Sequence, residues 1–191
     1  MSVGPRTLSV MTDVHAVPDW VRPSPAEVFD LQWLAYRRYL DAEHEVDAAW
    51  GEAIAATVVW VWGSLIGPAT GRPEQPVTRG VAVAEMWAAM AIGDGGGTPE
   101  RDLRGACEGV GVRYYPPDFR TVDPERGMAM YETLCWLLGD SPGGYSPAAR
   151  RPPMEIPRRD AAGRVAEDSR SRKLAALVDD TRARAAASLN R

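Results

Sequence analysis

Apolar residues recur along the chain at helical spacing, in blocks separated by proline and glycine. Ser24-Pro25-Ala26-Glu27 has the form of a helix start: Ser24 can cap, Pro25 suits the first turn, and Glu27 can reach back as in a capping box. Behind it Phe29, Trp33, Tyr36 and Leu40 form one helical stripe. The stripe resumes at Val46, Trp50, Ile54, Val58, Val61 and Leu65. Residues 41–47 are either a hinge between two helices or the middle of one long helix. The β-branched and aromatic residues of 57–62 would suit a buried strand. The alanine-rich lead-in and unbroken stripe favour a helix, ended by Gly67-Pro68.

A third helix is predicted from near Thr78 to before Gly93, with Val81, Val83, Met86, Trp87 and Met90 as its apolar set. Gly93–Gly97 reads as a connector. Thr98-Pro99-Glu100 opens a fourth helix that Gly109 closes. Val110–Tyr115 is compatible with one short strand at most. Asp123-Pro124-Glu125 opens a fifth helix, which runs to Leu138 and stops at Gly139. Its apolar arc (Met130, Tyr131, Leu134, Cys135, Leu137, Leu138) is wide, as in a central core helix. Beyond Arg159 the chain is rich in alanine and arginine and helical by propensity. Its large apolar residues are few: Val165, Leu174, Leu177, Val178 and Leu189. Such a segment either docks on something or stays mobile.

The pattern therefore divides the chain into an irregular arm (1–23), a helical domain (24–139), a Pro/Gly-rich linker (140–157) and a basic tail (158–191). The expected fold is mainly α: a compact bundle of about five helices with at most one short strand. A mobile or loosely docked C-terminal helix completes it.

Composition narrows the classes. With 191 residues, 45% hydrophobic and 25% charged, the chain is globular and long enough for a core without disulfide or metal staples. All but one (Lys173) of its 22 basic residues are arginine, the mark of a GC-rich genome. Charge is uneven. Residues 150–191 carry 11 basic and 6 acidic groups, a net of +5, so residues 1–149 carry −9. The first twenty residues lack the apolar core of a secretory leader. Ala53–Ile66 is shorter than the ~20 residues of a membrane span and is interrupted by Gly63 and Ser64. A cytoplasmic protein with reduced thiols at Cys107 and Cys135 is expected, with no membrane association.

No familiar catalytic or metal motif survives inspection. His44-Glu45 would need a second histidine at 48 to read as a zinc-protease helix, and Ala48 stands there. Asp41-x-x-His44 has di-metal spacing but no second copy; the only other histidine is His15. Cys107 and Cys135 lack paired metal-ligand spacing and read as buried hydrophobes. The glycine clusters are not phosphate loops, since the lysine such a loop needs is absent from both. No cofactor, metal or catalytic residue is assigned.

Two features point outward instead. Trp60 and Trp62 lie roughly 200° apart on an ideal helix, so one of the two indoles is available to a partner if the helix is not fully enclosed. Arg158, Arg159, Arg170, Arg172 and Lys173 form the densest basic stretch and suit phosphates, although no aromatic residue follows Tyr145 to stack bases. The expectation is a non-enzymatic helical interaction or adaptor module that binds a macromolecular partner through these residues, a protein first. The alternatives are a nucleic-acid-associated accessory protein that uses its tail, and an enzyme whose site assembles only in three dimensions. The oligomeric state is not legible.

Overall fold

The computed structural model describes residues 17–63, 66–73, 76–142 and 147–189. His15 and the rest of the arm before residue 17, Leu65 and Tyr145 lie outside them. The fold is mainly helical, with six helices and no strand among the described residues.

Helix α1 spans Pro25–Asp41, and its start is the capping box that the sequence implies. The Ser24 amide donates to Glu27 Oε2 at 2.8 Å and the Glu27 amide donates to Ser24 Oγ at 3.3 Å. Extended backbone at Ala42 ends it. His44 then starts α2, Glu45–Val61, so residues 41–47 are a hinge and 57–61 are helical. The end of α2 comes earlier than Gly67-Pro68. Gly63 adopts a left-handed conformation (φ 85°) and donates back to Trp60 O at 2.8 Å, which breaks the helix one turn sooner.

Helix α3 spans Arg79–Gly93 and is capped by Thr78; α4 spans Glu100–Gly109. Val110–Tyr115, the one segment compatible with a strand, does not form one. Nothing pairs with that backbone as a ladder, and its rings pack under guanidinium groups: Arg104 over Tyr114 at 4.3 Å, Arg113 over Tyr115 at 5.1 Å. Helix α5, Pro124–Leu138, is capped by Asp123 and stopped by Gly139 in the left-handed region. A single 3-10 turn at Pro147–Ala149 follows. Helix α6, Ser169–Leu189, is the last element.

In space the order of neighbours is α6, α1, α2, α5, α3, α4. Two glycines set the closest crossings. A Cβ on Gly51 would lie 2.6 Å from Ala35 O on α1, and one on Gly127 would lie 2.6 Å from Ile92 Cγ2 on α3. The principal core joins α1, α2, α3 and α5 around Leu31, Ile54, Trp60, Ile92 and Leu134. A second cluster holds α6 to α1 and α2 through Trp33, Tyr36, Val59, Val178 and Ala185. Met154 and Ile156, in the segment read as a linker, pack against both. The tail therefore docks on the acidic body. No helix among the described residues is long and apolar enough to cross a membrane.

Candidate functional site

One end of the bundle gathers the start of α1, the ends of α2 and α5 and the start of α3. The Arg22 amide donates to Leu137 O at 2.8 Å, Trp20 Nε1 donates to Val77 O at 2.9 Å, and Arg79 pairs with Asp140 at 3.2 Å. Between them lies a concavity of about 770 Å³ whose lining includes Pro18, Trp20, Trp62, Val77, Thr78 and Arg79.

The two tryptophans in question part company here. Trp60 is 0% exposed and belongs to the principal core, so it offers nothing to a partner; that expectation is corrected. It sits one residue before the end of α2 and packs within that core. Trp62 is the helix cap, half-buried, and walls the concavity. Its Nε1 is buried with no hydrogen-bond partner.

The basic residues of the tail are mostly engaged within the molecule. Arg159 forks onto Asp30 of α1, Nε to Oδ2 at 2.6 Å and Nη2 to Oδ1 at 2.8 Å, and its Nη1 donates to Gly163 O at 2.7 Å. Asp30 is 0% exposed, and burial holds its carboxyl above the usual range against the pull of Arg159. Arg158 pairs with Asp168 at 3.0 Å, and Arg170 makes a two-pronged pair with Glu155. These residues border a second concavity of about 640 Å³, in which Arg151, Arg158 and Arg170 face Glu27, Glu155 and Asp168. Three cations against three carboxylates leave little net field. Arg172 and Lys173 stand exposed on α6, and neither forms an ion pair among the described residues.

A fully buried ion pair was not singled out by sequence reasoning. Arg72 and Glu85 are both 0% exposed and meet at 2.9 Å. The Glu85 carboxylate also accepts from the Ala69 amide at 2.9 Å and from the Thr70 hydroxyl. Arg72 stacks over Tyr115 and donates to Arg113 O at 3.3 Å. Gly67 makes room, since a Cβ there would lie 2.5 Å from Arg72 Cγ. Burial pushes the Glu85 carboxyl up, opposed by these donors. The available signal was a lone carboxylate inside an otherwise apolar α3. With both partners sealed from solvent, the pair fastens the 67–73 loop to α3.

The remaining candidates are scattered. Asp41, Glu43, His44 and Glu45 are all exposed at the α1–α2 hinge. No cluster of three His, Cys, Asp or Glu suited to a metal exists among the described residues. Cys107 and Cys135 are buried free thiols. Burial pushes Cys135 up to about 12, and its Sγ lies 3.6 Å from Met86 Sδ. No protein-family model matches the sequence, and no curated protein or solved structure matches it either.

Proposed function

We propose that this chain is a non-enzymatic helical binding module that receives a segment of a protein partner in the Trp20–Trp62 concavity. One observation carries the reading: a concavity of about 770 Å³, mostly apolar, walled by two half-buried indoles, Trp20 and Trp62. That volume falls in the range of ligand sites, and tryptophan is a frequent energetic anchor at interfaces. In a cytoplasmic setting the two buried thiols would persist reduced.

The test is a displayed peptide library panned on the full chain. A recurring motif that is recovered by the wild type, and lost on Trp62→Ala, supports the reading. Absence of any motif, or a motif indifferent to Trp62→Ala, overturns it. The exposed pair Arg172 and Lys173 supports the nucleic-acid alternative. Fluorescence anisotropy of labelled duplex and single-stranded oligonucleotides, with wild type and Arg172→Glu/Lys173→Glu, tests it. Binding that needs the pair and weakens with salt, by about 0.9 log unit per log unit of salt for each duplex phosphate neutralised, would favour that alternative.

A further inference from the structure

We propose that α6 and the strand of chain leading into it (residues 158–189) form a detachable cover over the aromatic face of α1, latched by Arg159 on Asp30. The face beneath is a helix-binding groove whose resident occupant is the chain's own α6.

The groove is made mainly by α1, with Val59 of α2 beside it. Phe29, Trp33, Tyr36 and Tyr39 fall at i, i+4, i+7 and i+10, and their rings meet in a continuous row, with centroids 6.1 Å, 6.2 Å and 6.3 Å apart. What α6 presents to it is small. Ser171, Val178, Thr181 and Ala185 are its buried residues, and Leu174 is half-buried. That is little apolar area with which to order a 21-residue helix. A wide aromatic row under a narrow small-residue stripe is a loose match, unlike the α1–α2 and α3–α5 crossings, where the backbones approach at Gly51 and Gly127.

Polar contacts supply the rest of the docking. Arg159 grips Asp30 with two parallel bonds, Arg37 of α1 meets Asp180 of α6 at 2.6 Å, and Arg182 lies over the Phe29 ring at 5.5 Å. The latch differs from the other two. Asp30 is fully buried, so without Arg159 its carboxylate would be stranded in a dry site. Asp30 is also faced by Asp179 from α6 and Glu27 from its own helix, which both disfavour its charge. The chain ahead of the latch stays with the body: Met154 and Ile156 pack on both core clusters. The detaching unit therefore begins after them.

Hydrogen exchange on the full chain tests this. In the wild type α6 amides should open separately, at least about tenfold less protected than those of α5. Arg159→Ala should lower α6 protection a further tenfold to a hundredfold, roughly, while α2 and α5 keep theirs; those two helices report that the variant is folded. Lowering the pH from 8 to 5 should restore α6 protection in Arg159→Ala, where Asp30 can take a proton, and should change it far less in the wild type, where Arg159 opposes that proton. In a second measurement, a labelled peptide of residues 158–189 should bind the Arg159→Ala chain at least about tenfold more tightly than the wild type, whose groove is already filled. The proposal is overturned if α6 and α5 exchange as one unit, if Arg159→Ala leaves α6 protection unchanged, if acid fails to restore it, or if the peptide binds neither chain or both equally.

Discussion

Replacing Arg72 with alanine removes the cation from the driest ion pair among the described residues. Glu85 is left at 0% exposure with two donors, the Ala69 amide and the Thr70 hydroxyl, and no counter-charge. Breaking one side of a buried pair costs about 3–5 kcal/mol, most of it the penalty of a stranded charge. In a chain of 191 residues a change of 1 kcal/mol moves Tm by about 2–4 °C, so a fall on the order of 10 °C is expected. Glu85→Gln should cost at least as much as Arg72→Ala, because Arg72 is then the stranded charge and, unlike a carboxylate, cannot neutralise itself by a proton transfer. The double change Arg72→Met/Glu85→Leu should recover much of the loss, since no charge is then buried. The pH dependence has a definite sign. Glu85 in the folded chain titrates above its ordinary 4.5, chiefly through burial, so folding favours its protonated form. Stability from this group is therefore fullest below about 4.5 and declines as pH rises toward the raised folded value. Arg72→Ala should steepen that decline. Urea denaturation followed by tryptophan fluorescence, at pH 5 and pH 8, measures all four proteins. A loss under about 1 kcal/mol for Arg72→Ala at pH 8, or a variant more stable at pH 8 than at pH 5, would refute the dry-pair argument.

Gly51→Ala gains helix propensity of about 1 kcal/mol, yet it should destabilise the protein, because its Cβ would meet the α1 backbone at 2.6 and 2.7 Å; a higher Tm would show that α1 and α2 can part freely. Gln32 is fully buried and neither of its amide atoms has a hydrogen-bond partner, so Gln32→Leu should raise stability by about 1 kcal/mol, read as a shifted urea midpoint. Asp168 accepts from the Ser171 amide at 2.9 Å and caps α6, which holds its carboxyl at about 2, below the ordinary 3.8. That contribution is complete above about 3.8 and is lost as pH falls through about 2. NMR shifts of Ser171 and Arg172 followed against pH should therefore titrate near the lower value, and a midpoint near 3.8 would remove the cap.

The sequence by itself determined the helices and most of their ends. Ser24, Thr78 and Asp123 act as caps because a cap bonds an amide three residues on, and Gly139 stops α5 because a left-handed residue is local geometry. Local rules misplaced one feature, the end of α2, which is set by Gly63 rather than Gly67, and left one open: Val110–Tyr115 finds no strand to pair with. Tertiary structure alone decided the rest. Whether Trp60 or Trp62 faces outward depends on which helices enclose α2, and a stripe of spacing does not say. Arg72 and Glu85 lie 13 positions apart in a loop and a helix, and Asp30 and Arg159 lie 129 apart; no periodicity links them. Their pairing follows from packing that removes water, after which each buried charge must find its opposite. The same step decided the fate of the tail. Its arginines read as a phosphate-binding run in sequence, and in the fold Arg158, Arg159 and Arg170 turn to carboxylates of the chain itself.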